Sequence, residues 1–375
     1  NTAVGALALD ANTTGSSNTA FGVQALSANT TASSNTAIGK AALESNTTGV
    51  HNVAVGASTM DANTSGGYAT AIGNAALGNC TDGDRNVAAG YAALHNVTTG
   101  DDNVGIGVYA GFDITTASDN TIVGNYAGQN ITTGANNIIM GYTAGNDLTT
   151  GNTNTLVGPR TGGNLTTASN NTAMGVDALE DATTAADNTC IGSNAGANLT
   201  SGSNNLMLGK EAGKSGSPGG QRTTHSNRIG LGNGDIQTLS CQVALSVASD
   251  ERDKTDFTDL DIGLDFVKQM KPYTYRWDKR HKYVDWDKNP DTDLDTIIHD
   301  GTHTEDWLDI GFKAQDVQIL EQAAGYDKKN NTNLTIDLSD DGKLYSMKYE
   351  KLVPILVKAI QEQQEIIEEL KANSH

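Results

Sequence analysis

The chain has 375 residues, of which 37% are hydrophobic, 18% charged and 5% aromatic, with 42 Gly. This Gly-rich, aromatic-poor balance argues against one large compact core. The formal charge of −20 disfavours nucleic acid as a partner, because phosphate backbones are bound by Lys and Arg. No apolar run is long enough for a membrane-spanning helix, so membrane insertion is not expected.

Two compositions meet near Ala248. Residues 1–248 hold 37 of the 42 Gly, no Trp and 7 of the 19 aromatics. Residues 249–375 hold 5 Gly, all three Trp and 12 aromatics. Acidic residues exceed basic ones on both sides, 16 to 7 before the division and 28 to 17 after it. Solubility therefore does not explain the boundary, and a change of architecture does.

The first part is a tandem repeat. Glycines stand at 5, 22, 39 and every 17 residues onward to 209, thirteen in all. Four residues before each stands Asn, with Ala69 the one exception. One residue before each stands a large apolar side chain, such as Val4, Phe21, Ile38 or Leu208, with Ala89 the exception. Eight residues after each of the first twelve stands Thr, from Thr13 to Thr200. Such a strict period means a stacked array. The unit lacks a helical pattern and alternates short apolar stretches with turn residues, so each 17-mer is predicted to be one coil of a parallel β-solenoid. At about 4.8 Å per coil, twelve spacings give a rod of about 58 Å.

One correlation predicts a shared core space. Four residues after the repeat glycine stands Leu or Met in seven coils, such as Leu9, Leu26 and Leu179, and Gly in the other six. In five of those six, Ile or Leu appears three residues later, as Ile114, Ile131, Leu148, Leu165 and Leu199. One large side chain per coil is thus expected to fill the same volume from either position. Each coil still offers few sizeable apolar groups, and trimerisation along the rod is expected to remedy the thin core. The Asn and Thr ladders are read as satisfying backbone and turns; ice binding by a Thr array is the alternative. The Ca²⁺-binding nonapeptide G-G-x-G-x-D is absent. The acidic residues Asp61, Asp101, Asp147 and Glu180 are read as sharing no column, so no paired-carboxylate glycosidase site is expected.

The repeat breaks after Gly209. Residues 210–220 read as a loop, 226–234 as a last displaced coil, and 235–247 as a terminal strand. The three cysteines, Cys80, Cys190 and Cys241, are odd in number and far apart, and are read as free thiols. No signal peptide is evident. The chain opens inside a repeat, so a further region is expected upstream of Asn1.

In the second part, Ser249-Asp250-Glu251-Arg252-Asp253-Lys254 places a serine five residues before a lysine. A turn between them would make a Ser–Lys dyad, in which a lysine of lowered pKa takes the serine proton. By itself the spacing says almost nothing, and a surface turn is its ordinary reading. Residues 260–270 carry Leu260, Leu264, Val267 and Met270 and predict a short amphipathic helix. Residues 273–277 alternate aromatics and predict a strand. Residues 279–309 are charged and interrupt the pattern, and their His281, His299 and His303 read as solvated loop histidines with no metal site. Residues 351–370 predict a coiled-coil helix with the seam Leu352, Leu356, Ala359, Gln363, Ile366 and Leu370.

Four segments together carry a resemblance: Ser249 to Lys254; Met270-Lys271-Pro272-Tyr273-Thr274-Tyr275-Arg276-Trp277; Gly311-Phe312-Lys313-Ala314-Gln315-Asp316-Val317; and residues 349–361, from Tyr349-Glu350-Lys351-Leu352 to Gln361. In this order they resemble the C-terminal intramolecular chaperone domain of phage tail spikes, fibres and endosialidases, over about residues 249–370. The repeat resembles the heads of trimeric bacterial adhesins and of marine phage fibres. The first resemblance implies a domain that assembles three chains and then cuts itself off before the serine of S-D-x-R-x-K. It implies Ser249 as nucleophile, Lys254 as general base, Ala248–Ser249 as the scissile bond, and positioning roles for Asp250 and Arg252. It also implies that residues 279–309 are a projecting arm.

The fold expected is therefore mainly β: a trimeric parallel β-solenoid of 17-residue coils (1–234), a linking strand (235–248), and a small α+β chaperone domain (249–375) ending in a coiled-coil helix. The function expected is the distal part of a phage tail fibre or spike, located in the virion and assembled in the host cytoplasm. Its partners would be two further copies of itself, a glycan or protein receptor on the host surface, and other tail proteins upstream. No cofactor is expected, and no enzymatic turnover beyond a single self-cleavage. The rivals are a bacterial trimeric adhesin with an uncleaved trimerisation domain, and a polysaccharide-degrading spike.

Overall fold

The computed structural model describes residues 1–214, 217, 220–236, 238–240, 242, 249–284, 289, 292–330, 332–339 and 344–374. They form two compact units, Asn1–Pro218 with Arg222–Asn233, and Gly219–Gln221 with Gly234–His375.

The first unit is a β-solenoid of 17-residue coils. Each coil contributes one three-residue strand, from Thr2–Val4 (β1) and Thr19–Phe21 (β2) through Leu206–Leu208 (β13) to Ile229–Leu231 (β14). All fourteen pair in sequence order in one sheet, and every pairing is parallel. The register is one full repeat, so Thr2 lies beside Thr19 and Ala3 beside Ala20. The last step is longer: Leu206 lies beside Ile229, which makes 226–234 the displaced final coil that the sequence suggests.

Strand alternation sets the core. From β2 onward the middle residue of every strand is buried, and the first and third face outward. Asn at the strand entrance stitches successive coils. The Asn18 Oδ1 accepts the backbone N–H of Asn35 at 2.9 Å, and its Nδ2 donates to the Ala32 carbonyl at 2.8 Å. The same pattern recurs through Asn205. Each Thr of the second ladder donates its hydroxyl to the carbonyl of the Thr one coil on, as Thr47 does to Thr64 at 3.0 Å. Both ladders thus satisfy backbone groups that a thin coil would otherwise leave bare.

The repeat glycine is required by stacking. Gly22 has φ 142°, and a Cβ there would lie 2.3 Å from the Gly39 carbonyl oxygen of the next coil. Four residues later the chain again turns left-handed. Leu26, Leu43 and Leu94 adopt φ of 53°, 52° and 51° and are fully buried. Left-handed backbone costs an L-residue about 1–2 kcal/mol, and burying a leucine returns about 1.5–3 kcal/mol, so burial wins.

The volume exchange read from the sequence is explicit in the packing. A Cβ on Gly128 would lie 2.9 Å from Ile131 Cδ1, and one on Gly162 would lie 2.7 Å from Leu165 Cδ1. The structure adds a third contributor that the repeat consensus hides. In four of the six coils where the left-handed position is Gly, the middle strand residue is also enlarged, as Ile122, Ile139, Leu156 and Met207 replace the usual Ala; the other two carry Gly105 and Cys190 there.

The second unit is small and mixed. Helix α1 (Leu264–Gln269) packs on the C-terminal helix α3 (Leu352–Ala372). Strands β15 (Tyr273–Tyr275) and β16 (Asp309–Gly311) pair antiparallel, as do β17 (Ile336–Leu338) and β18 (Tyr345–Met347). Helix α2 (Ala314–Ala323) lies against the second hairpin. Ile262, Phe266, Val317, Ile336, Leu352 and Ile355 form the core.

Three sequence readings change. The helix in 260–270 is shorter, because Gly263 precedes it. The seam of α3 rotates: Leu352, Ile355 and Ala359 are buried in the unit's own core, while Val353, Leu356, Ile360, Ile367 and Leu370 are exposed. Those exposed residues, with Gln363, keep heptad-like spacings of 3, 4, 3, 4 and 3. The helix therefore has two apolar faces, and the predicted seam mixed them. Finally, His281 is not solvated: its side chain is 14% exposed and contacts Asp235 at 3.3 Å.

Residues 235, 236, 238–240 and 242 carry no strand. The rest of the predicted terminal strand, Cys241 and Ala248 lie outside the described residues, as do parts of 210–220 and 279–309.

Candidate functional site

Ser249 and Lys254 are brought together by one tight turn. Glu251–Asp253 form a single 3-10 turn. The Asp250 side chain caps it by accepting the Arg252 N–H at 2.9 Å, and Lys254 N–H closes it on the Glu251 carbonyl at 3.1 Å. Asp at a cap supplies an acceptor for an amide that has no partner inside the turn. Arg252 grips the same carboxylate with Nε at 3.0 Å and Nη2 at 2.5 Å. Those contacts hold the Asp250 carboxyl below its usual range. Asp250 and Arg252 thus close the turn through one shared carboxylate.

The turn folds the lysine back. Lys254 Nζ lies 2.6 Å from Ser249 Oγ and 3.3 Å from the Ser249 carbonyl oxygen. The first distance is that of a direct proton-transfer contact between a hydroxyl and an amine. Ser249 and Lys254 are both exposed in the single chain. A lysine becomes a base when burial or neighbouring cations disfavour its ammonium form. The turn thus holds a hydroxyl and an amine within hydrogen-bond distance of each other. Ala248, on the other side of the expected scissile bond, lies outside the described residues.

The scaffold behind the turn depends on residues the sequence reading did not single out. Helix α1 has no side-chain cap of its own, because Gly263 precedes it. Glu362 on α3 fills that place, its Oε2 accepting the Leu264 N–H at 2.7 Å. A Cβ on Gly263 would lie 2.4 Å from that oxygen. Gly311 is constrained in the same way, since a Cβ there would lie 2.4 Å from the Tyr349 hydroxyl. That hydroxyl accepts the Phe312 N–H at 3.3 Å and ties the third motif to the fourth. Buried Glu321 accepts the backbone N–H of Leu334 at 3.2 Å and of Thr335 at 2.7 Å. The signal available in the sequence was Gly263, a helix-breaking residue inside the predicted helix.

Residues 249–326 match the family model described as chaperone of endosialidase. Those residues of the second unit fit an endosialidase-type chaperone domain. The match begins at Ser249 and includes the first three motifs; residues 349–361 lie beyond it. A β-solenoid followed by this domain fits the C-terminal part of a tail fibre, and domains of this kind act in trimerisation. No curated protein and no solved structure matches the chain.

In the solenoid, Cys80 and Cys190 are free and buried, and burial pushes their thiols up to about 11 and about 12. They are packing residues. Burial also raises the carboxyls of Asp61 and Glu180. Contrary to the sequence reading, these two do share a column, five residues after the repeat glycine. Asp61 and Glu180 stand seven coils apart, about 34 Å, too far to flank one glycosidic bond, whereas Glu44 stands in the same column one coil from Asp61.

Proposed function

We propose that this chain is the distal part of a phage tail fibre or spike, whose chaperone domain assembles three copies and then cuts itself off before Ser249. The observation that carries the reading is the 2.6 Å contact between Lys254 Nζ and Ser249 Oγ at the first residue of the matched domain. Lys254, in its neutral form, takes the Ser249 proton while Oγ attacks the Ala248 carbonyl. The attack is intramolecular, so orientation supplies much of the rate. Lys254 returns the proton to the Ser249 nitrogen as the tetrahedral adduct collapses, which breaks the Ala248–Ser249 bond and leaves an ester on Ser249 Oγ that water hydrolyses. The exposure of both side chains in the single chain supports a reaction that waits for assembly, because a neighbouring copy would supply the desolvation that a lysine base needs. After release the shaft has lost its assembly aid and is held by a kinetic barrier. The shaft would face the host surface and meet a glycan or protein receptor there.

The test is intact mass measurement on the wild type, Ser249→Ala and Lys254→Met, each expressed as the full chain. The expected result is a wild-type break between Ala248 and Ser249 that both variants lack, with all three still trimeric before the break. An uncleaved wild type that elutes as a trimer would reject the self-cleavage. It would leave the domain as a permanent trimerisation cap, the arrangement of an adhesin.

A further inference from the structure

The aromatic side chains of the solenoid are gathered in one place. Of the seven Phe and Tyr before Ala248, five lie within residues 91–142: Tyr91, Tyr109, Phe112, Tyr126 and Tyr142. They follow the repeat glycine in four consecutive coils, so their rings rise along the rod. Tyr91 and Tyr109 lie edge to face with centroids 5.3 Å apart, Tyr109 and Tyr126 stack at 5.7 Å, and Tyr126 meets Tyr142 at 6.3 Å. Phe112 packs on Tyr109 at 5.1 Å, and His95 stacks on Phe112 at 5.4 Å. Three coil spacings make the strip about 14 Å long.

This strip is neither core nor ordinary surface. Tyr91, Tyr126 and Tyr142 are 37–57% exposed. Tyr109 and Tyr126 stand in left-handed backbone, with φ of 56° and 60°, a conformation that bulky side chains disfavour. Burial offsets that cost for Leu26 and Leu43 and is lacking for Tyr126. Charge is excluded as well. In these coils the columns one, two and five residues after the repeat glycine hold no Asp, Glu, Lys or Arg. Elsewhere the same columns carry Lys40, Glu44, Asp61, Arg160, Asp177 and Glu180. Hydrogen-bonding groups border the rings instead. Asn125 is exposed; its Oδ1 accepts the Val108 N–H at 2.9 Å, and its Nδ2 has no partner among the described residues. In the adjoining column Asn96 Nδ2 donates to Asp113 Oδ1 at 2.9 Å, and Asn130 Nδ2 to Asp147 Oδ1 at 3.2 Å.

We infer that this strip binds an uncharged polysaccharide of the host surface, laid along the rod with its sugar rings against the tyrosines. The inference rests on the host-attachment reading proposed above and names the site and the class of receptor. A sugar ring has a face of C–H groups and a rim of hydroxyls. The C–H face is weakly positive and fits the negative face of an aromatic ring. The hydroxyl rim fits the phenol, amide and carboxylate groups beside it, each a donor or acceptor. Charge decides against an anionic chain. The strip offers it no cation, and Asp113 and Asp147 border the rings in a chain of net charge −20. A purely apolar partner would cover the amides without pairing them.

The test probes an array of neutral and acidic oligosaccharides of bacterial surfaces with the full chain, then titrates the neutral one bound best. The samples are the wild type, Tyr126→Ala, Tyr142→Ala, the ring-keeping Tyr126→Phe and, outside the strip, Tyr68→Ala, whose parent ring is 61% exposed. The expected result is binding to neutral chains, weakened about ten-fold or more by Tyr126→Ala and Tyr142→Ala, and kept by Tyr126→Phe and Tyr68→Ala. Added salt should leave that binding unchanged, because no ion pair forms. A blank array, binding to acidic chains only, or equal binding by all samples would overturn the site. Sedimentation of the same samples reads their assembly. Alanine variants that change in size would make the tyrosines structural contacts, and would overturn the site too. Intact mass reads the break before Ser249 in parallel, so the two readings fail separately. A chain cut there that binds no glycan would overturn the site and leave the self-cleaving fibre standing. An uncut chain that binds neutral glycan through these tyrosines would do the reverse.

Discussion

Replacing Asn137 by Ala tests whether side-chain ladders hold the coils together. Asn137 is fully buried in the middle of the solenoid. Its Oδ1 accepts the Asn154 backbone N–H at 2.9 Å and the Asn154 Nδ2 at 3.1 Å. Its Nδ2 donates to the Gly151 carbonyl at 3.0 Å and to Asn120 Oδ1 at 3.1 Å. In the variant two neighbours keep a partner: Asn120 Oδ1 retains the residue 137 N–H, and Asn154 Nδ2 retains the Ala168 carbonyl. The Asn154 N–H and the Gly151 carbonyl are left buried without one. At about 1–3 kcal/mol for each unsatisfied group, the loss is about 2–6 kcal/mol. Asn137→Asp should do no better, because a carboxylate restores the acceptor for Asn154 while facing two oxygens it cannot donate to. Ala69 supplies the reciprocal experiment, since it is the natural gap in the ladder. Ala69→Asn should raise stability by about 1–3 kcal/mol by restoring a partner to the next coil. Thermal unfolding at fixed protein concentration, with amide exchange at Asn154 as the local probe, reads both. A loss below about 1 kcal/mol for Asn137→Ala, with Asn154 exchange unchanged, would refute the ladder as the source of coil cohesion.

Three further outcomes follow from the packing. Gly128→Ala alone should cost about 1–3 kcal/mol, because the new Cβ meets Ile131 Cδ1 at 2.9 Å; adding Ile131→Val removes that atom and should recover about 1 kcal/mol in a double-mutant cycle read by thermal unfolding. Gly263→Ala should displace Glu362 from the start of α1 and lower the stability of the chaperone unit by about 1–2 kcal/mol, a loss that removing Glu362 first should largely absorb in chemical denaturation. In the second hairpin, burial pushes the Asp337 carboxyl up, but the ammonium groups of Lys328 and Lys348, each at 3.0 Å, outweigh it and hold it at about 2. A folded value below the unfolded one means that its stabilisation is present above about pH 4 and is lost as the pH falls towards 2. Asp337→Asn should therefore flatten the acid dependence of the melting temperature of this unit between those limits and leave the dependence above pH 5 unchanged.

Much of the solenoid was legible in the sequence, because a coil that stacks on its own copy repeats every constraint at the same interval. The 17-residue period specified the register. The glycine column marked the left-handed stacking point, and the Asn and Thr columns marked the ladders. The exchange between Gly128 and Ile131 betrayed a shared core volume. The hexapeptide from Ser249 to Lys254 held Ser249, Asp250, Arg252 and Lys254 within one turn, so local geometry alone could bring them together. What the sequence could not decide was direction. The period does not say which way the apolar residue before each repeat glycine points; strand alternation turns it outward and gives the interior to the residue beside it. The same ambiguity misplaced the seam of α3, where one helix carries two apolar stripes and only packing against Phe266 and Val317 shows which one the chain keeps for itself. Glu362 reaching across to Leu264, 98 residues away, left no trace in any local pattern. Periodic and local constraints are written in the residues that repeat or adjoin. The choice of which apolar surface stays bare is made only when separate elements meet.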